Sequence, residues 1–330
     1  MADSTNSNST GVVKSQELQR AARLNRALGA VVGLAVADAL GSTVEFTTPE
    51  QIKARYGSNG HTEMRGGGSF NWEIGEYTDD GQMMMCLLES LVATNRDSQD
   101  GFSPKGLNIE DLGRRFVAWL DSDPKDIGIT TSSALRRLKS GIPAHLSGDY
   151  RPDSQANGAI MRCSPLAVLW HHPQYRSELL RDSLLSAYPT HRSPIAAGAV
   201  PVMTTLIAEF INGSDYEAAL TAALRIAEGD WHAILVKWDN EGRPHRGNSG
   251  WAVSTLLTAL HCLHTTESFE AAVIKAVNGG NDADTVGAVT GALAGSFYGL
   301  DTIPDRWLKV LKDRQQMIEL ATILFEIGEK

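Results

Sequence analysis

Apolar residues recur along this chain three and four positions apart, and strand-like alternation bounded by turns is nearly absent. Met83, Met84, Leu87, Leu88, Leu91 and Val92 form one face of a helix entered at Thr78. The same period predicts helices over 109–120, after Gly128, from Asn157, over 195–210 and over 251–263. Two more helices carry a different signature. Gly29, Gly33, Ala37 and Gly41 recur every fourth position in 25–41, as do Gly287, Gly291, Gly295 and Gly299 in 286–299. Residues so spaced make one slowly drifting stripe along a helix. Each glycine costs a helix about 1 kcal/mol relative to alanine, so the stripes make sense only where another backbone comes very close. The two helices are expected to pack on each other at the centre, joining opposite ends of the chain. Irregular polar segments fall at 55–76, 96–108, 140–156 and 239–248, and no repeat of solenoid period is present. The expected fold is all-α: a compact single-domain multi-helix bundle over 25–330, preceded by a flexible arm at 1–24.

In that arm, residues 1–12 are rich in Ser, Thr and Asn and read as a solvated tail. Residues 14–24 have a weak apolar face (Leu18, Ala21, Ala22, Leu24) and three cations, Lys14, Arg20 and Arg23. Such a segment, positive on a 330-residue chain of net charge −9, suits docking onto an acidic cleft of a partner. That acidic balance argues against a nucleic-acid surface, which needs a basic patch. It also leaves an anionic substrate to be held by local N–H groups, arginines or metal. The three cysteines, Cys86, Cys163 and Cys262, are scattered without metal-type spacing, which fits a reduced cytoplasm. No charged-then-apolar leader opens the chain, and the longest apolar stretches read as too short and glycine-rich to span a bilayer.

The chemistry concentrates at two helix starts. Thr78 precedes Asp79 and Asp80; far downstream, after Gly279 and Gly280, stand Asp282, Asp284 and Thr285. Acids at a helix N-terminus are favoured by the macrodipole and can be plain caps, but two doubled acids beside glycines ask for more. If the glycine-striped helices pack together, Asp38 and Glu45 are carried towards the Asp282–Thr285 turn. Carboxylates so gathered would each cost several kcal/mol uncompensated. One divalent cation leaves the group clearly negative, whereas two bring it near neutrality. All the candidate ligands (Thr78, Asp79, Asp80, Asp282, Asp284, Thr285) offer oxygen, so the expected cofactors are two hard cations, Mg²⁺ or Mn²⁺. Asn157 and Gly158 place donors at a predicted helix start, a reasonable anion or ribose site. The lone glycine run at Gly66–Gly68 reads as slack more than as a phosphate cradle, and His261 with His264 lack a third ligand.

In order along the chain, Gly33–Gly41 with Asp38, then Glu45, Thr78-Asp79-Asp80, Asn157–Arg162, Thr190-His191, Asn281–Thr285 and Ile303–Trp307 resemble the motifs of the ADP-ribosylglycohydrolase family, which includes dinitrogenase-reductase-activating glycohydrolase. The resemblance runs from about residue 25 to the C-terminus. It implies a binuclear metal site and hydrolysis of the glycosidic bond at C1″ of ADP-ribose on a modified protein, with ADP-ribosyl-arginine as the expected linkage. It also implies Glu45, Asp80 and Asp284 as catalytic, and Gly128, Ser154, Asn157, Gly158 and His191 as substrate-binding. Some similar family members act as immunity proteins, which suggests an ADP-ribosyltransferase toxin as partner of the arm. The alternative is a non-catalytic module binding ADP-ribose or a modified protein; the full acidic set argues against it. Two positions depart from the family pattern: Gly81, often Thr, and Ala37, often Gly. Gly81 is expected to alter the cleft rim.

Overall fold

The computed structural model describes residues 6–96 and 103–330, with the side chains of 6–13 left aside. The described residues form sixteen α-helices and no strand beyond three isolated bridges. At the centre lie α1 (Asn6–Gly41) and α14 (Ala283–Tyr298). They run antiparallel in a register set by the glycine stripes. A Cβ added at Gly33 would sit 2.5 Å from the Gly291 carbonyl oxygen, and Gly29 meets Gly295 in the same way. Ala37 faces Gly287 and Gly291, and Gly41 abuts Ala283 and Asp284. The close approach that justifies so many helix glycines is therefore between these two backbones. Its consequence is positional: the exit of α1 lies directly on the entrance of α14.

Around this pair pack α9 (Pro194–Ile211), α12 (Ala252–His264), α13 (Phe269–Val277) and α16 (Arg314–Gly328). The helix α3 (Asp79–Asn95) is tied to α1 by Asp38, whose buried carboxylate accepts hydrogen bonds from the Thr78 N–H (3.0 Å) and the Gly81 N–H (2.8 Å). Gly81 itself is buried, and an added Cβ would lie 2.6 Å from the Tyr77 ring and 3.0 Å from Asp38. It faces the α1 junction and does not reach the cleft rim expected for it.

Two further expectations need correcting. The arm has no boundary at residue 24, because α1 continues from Asn6 into the core. Arg20 pairs with Glu326, and Arg23 grips Glu329 through two carboxylate contacts of 2.8 and 2.9 Å, so two of the three cations foreseen for a partner are engaged by α16 and its C-cap. Length was also misjudged. Lys14–Gly41 and Pro194–Ile211 are long and apolar enough to cross a bilayer, but 83% of each apolar window is buried inside the molecule. They are core helices.

Glu329 also accepts from the buried His171 (Nε2, 2.8 Å). Burial alone would raise this carboxyl, yet the bonds from His171 and Arg23 outweigh it and hold the group at about 2. A carboxyl depressed in the folded state stabilises above its unfolded value and loses that contribution as pH falls through the folded one. The melting-temperature gap between wild type and Glu329→Gln should thus be open at pH 6 and close between about pH 4.5 and 2. A gap constant over that range, read by calorimetry, would refute it.

Candidate active site

Thr78 caps α3, its hydroxyl oxygen accepting from the Asp80 N–H at 3.3 Å. That capping turn sets Asp79 and Asp80 side by side at the helix start, 7% and 1% exposed. Across from them α14 begins with Asp282 at its cap and Asp284 and Thr285 in its first turn. The Thr285 hydroxyl donates to Asp80 Oδ2 at 3.3 Å, joining the two helix starts. Asp282 is steered by Asn157, whose Nδ2 donates to Asp282 Oδ2 at 2.7 Å and to Thr255 Oγ1 at 2.9 Å. The turn ahead of Asp282 is pinned by Asn248, whose Nδ2 donates to the Ala276 and Gly280 carbonyls, both at 2.9 Å.

Asp79, Asp80, Asn157, Asp282, Asp284 and Thr285 line one cleft of about 320 Å³ together with Glu45, Asp126, Gly128, Gly158 and His191, with the buried Thr78 behind them. No lysine or arginine is among its lining residues. Asp126, missed in the sequence, stands in the polar segment just ahead of Gly128; its place two residues before a helix cap was the available signal. Glu45, Asp126 and Asp284 each offer an oxygen within 4.8 Å of the others, and so do Asp79, Asp80 and Asp284. Burial, then the charges of Asp126, Asp282 and Asp79, push the Glu45 carboxyl up to about 9. Burial and mutual repulsion also raise Asp79, Asp80 and Asp284 well above the usual carboxylate range. Glu45 Oε2, Asp80 Oδ1 and Asp284 Oδ1 are buried without any hydrogen-bond partner. Unpartnered buried carboxylate oxygens are costly. Here they belong to two adjoining triads that share Asp284, so the donor set fits hard divalent cations.

The opposite wall is built for a neutral or anionic group. The helix α5 (Ile129–Lys139) starts at Gly128 with no side-chain cap, leaving its first N–H groups to the cleft. His191 is buried; burial, then the nearby Arg162, push its imidazole down to about 3. Its Nδ1 pairs with Thr190 Oγ1 at 2.8 Å, and that hydroxyl also accepts from buried Arg162 at 2.7 Å. Gly158 makes room for the ring, since an added Cβ would lie 2.6 Å from His191 Cε1.

Of the substrate residues expected from the sequence, Asn157 lines the cleft but in a different local setting, and Ser154 does not line it. Asn157 does not open a long helix; a short 3-10 turn (Ile160–Arg162) and a six-residue helix follow, and its amide is committed to Asp282 and Thr255. Ser154 lies outside the cleft lining, its carbonyl accepting from Ser193 Oγ. Gly66–Gly68 fold into a tight turn, Gly67 bridging to Trp72, also outside the lining. His261 turns to the Arg243 carbonyl and His264 lies against Tyr216, so the two do not converge.

Comparison with known proteins bears directly on this cleft. A family profile described as ADP-ribosylglycohydrolase matches residues 19–330. The ADP-ribosyl-[dinitrogen reductase] glycohydrolase of Rhodospirillum rubrum is 36% identical over 293 residues, which cover 87% of this chain and 90% of that protein. ADP-ribosylarginine hydrolase Tri1 of Serratia proteamaculans is 31% identical over 313 residues, covering 92% and 79%. A solved structure titled ADP-ribosylglycohydrolase-related protein complex superposes with a TM-score of 0.76 at 35% identity, over 93% of this chain and 99% of that one.

Proposed function

Because the chain belongs to the ADP-ribosylglycohydrolase family and is an enzyme of that class, we propose that it is a divalent-metal-dependent hydrolase that releases ADP-ribose from modified arginine side chains of proteins. The observation that carries the reading is the convergence of Glu45 and two acidic helix starts on one cleft, with three buried carboxylate oxygens lacking partners. Thr78, Asp79, Asp80, Asp126, Asp282, Asp284 and Thr285 would hold two Mg²⁺ or Mn²⁺ ions. When bound, such cations orient ribose hydroxyls, acidify water and offset developing charge.

The chain's own residues divide the remaining work. The free N–H groups at the start of α5 suit the diphosphate, in keeping with a cleft lined by no lysine or arginine among the described residues. Neutral His191 and the Gly158 backbone frame the ribose side. Glu45, buried on the acidic floor beside Asp126 and Asp284, suits moving the proton between water and the leaving nitrogen. Arginine as the leaving group is supported by the printed name of the Serratia relative. Free Cys86, Cys163 and Cys262 support a reducing cytoplasmic setting. A toxin partner would have to be met without Arg20 and Arg23, which α16 engages.

Chelator-treated protein should release no ADP-ribose from ADP-ribosyl-arginine, and Mg²⁺ or Mn²⁺ should restore release. Full activity in a sample free of metal by elemental analysis would overturn metal dependence; activity only on serine conjugates would overturn the linkage.

A further inference from the structure

We infer that Phe46 is a specificity-determining contact residue whose ring receives the cationic leaving group as it passes out of the acidic cleft; this rests on the arginine reading above. Three observations place it there. Phe46 lines the cleft next to Glu45, yet it is 65% exposed, whereas the other described phenylalanines are buried or half-buried. Its backbone is left-handed, φ 58°, a conformation that bulky residues avoid and that persists only where surroundings impose it. The imposing contact is specific: the Phe46 N–H donates to the Asn281 carbonyl (2.7 Å), and the Asn281 N–H donates to the Thr47 carbonyl (2.8 Å). Asn281 is also left-handed, φ 52°. This reciprocal clasp locks the Glu45 loop to the turn that delivers Asp282 while holding the Phe46 ring out in the open rim.

The ring is braced there. Phe70 meets it edge-on at 6.2 Å between centroids, and Phe70 in turn meets Trp72 at 5.9 Å. The chemistry of the reaction says what passes over it. The anomeric carbon must lie beside the acids of the floor, and the leaving group remains attached to a protein. Its side chain therefore has to cross the exposed rim, and the rim residue adjoining Glu45 is Phe46. A guanidinium is planar, weakly hydrated and attracted to an aromatic face. Ile129, 88% exposed on the same cleft, offers an apolar surface without that attraction.

The test compares ADP-ribosyl-agmatine, which carries the cationic leaving group, with free ADP-ribose as a competitive inhibitor, which lacks it. In the metal-loaded full chain, Phe46→Leu should raise KM for the agmatine conjugate roughly 3- to 30-fold, with kcat little changed, as expected for a contact made in ground state and transition state alike. The inhibition constant of ADP-ribose should shift by less than about twofold, and Phe46→Tyr should keep the wild-type KM. An unchanged KM in Phe46→Leu, or parallel losses for conjugate and ADP-ribose, would overturn the contact. A wild-type protein inert on the agmatine conjugate would instead overturn the arginine reading itself.

Discussion

Replacing Asp80 or Asp284 with alanine is expected to lower kcat by roughly a thousandfold or more, while leaving the metal-free protein as stable as wild type or more so. The two halves of this result have one cause. Asp80 and Asp284 are almost fully buried, each has an oxygen without a partner, and each is raised by burial and then by the other acids of the floor. A carboxyl whose folded value lies above its unfolded one binds its proton more tightly in the folded state. Its contribution to stability therefore falls as pH rises from the unfolded value towards the folded one. At neutral pH the wild-type metal-free floor is under strain, and removing one acid relieves it. Cations bound only by the folded protein reverse the order, since they stabilise the wild type by mass action. Calorimetry should thus show wild type gaining melting temperature with added Mg²⁺ and both variants gaining much less. Near wild-type turnover by either variant at saturating metal would reduce that residue to a helix cap.

The architecture of this floor was legible to the extent that it rested on periodicity. A four-residue glycine spacing in two distant segments predicts a close helix crossing, and Gly29, Gly33, Ala37 and Gly41 meet Gly295, Gly291, Gly287 and Ala283 in turn. From that register the approach of Glu45 to Asp284 follows. Thr78 is likewise readable as a cap because a hydroxyl before two acids satisfies free N–H groups. Asp126 offered only its place ahead of the Gly128 cap as a signal, since it belongs to an aperiodic segment whose course depends on tertiary contacts. Ser154 and Asn157 show the same limit: a polar residue beside a glycine signals a turn, and only packing decides whether its donor faces the cleft or a neighbouring carboxylate. The arm was misread for a related reason. Arg20 and Arg23 look unpartnered in a linear chain, whereas Glu326 and Glu329 lie some three hundred positions away. Phe46 gave no signal at all, because exposure and a left-handed backbone are invisible in composition.

The glycine crossing carries the second large effect. Gly295→Ala is expected to destabilise the protein by at least about 3 kcal/mol, against a helix-propensity gain of about 1 kcal/mol. The added Cβ would fall inside contact distance of the Gly29 carbonyl, a backbone atom of α1 that cannot rotate away. Overpacking a well-filled core usually costs 1–3 kcal/mol, and more where the obstacle is rigid; here the only relief is to spread the helix axes. Gly250→Ala is the matching control, because nothing lies within 4 Å of an added Cβ and no left-handed backbone is required; its melting temperature should stay within about a degree or two of wild type. Position along the crossing then separates fold from function. At the far end Gly295 should cost stability first. At the near end an added Cβ on Gly41 would lie 2.6 Å from the Asp284 Cα, so Gly41→Ala should displace a carboxylate of the floor directly. Measured well below its melting temperature and at saturating metal, Gly41→Ala should retain a smaller fraction of turnover than Gly295→Ala under the same conditions. Equal residual turnover in the two variants would mean that the crossing supports the molecule as a whole without setting the geometry of the acids.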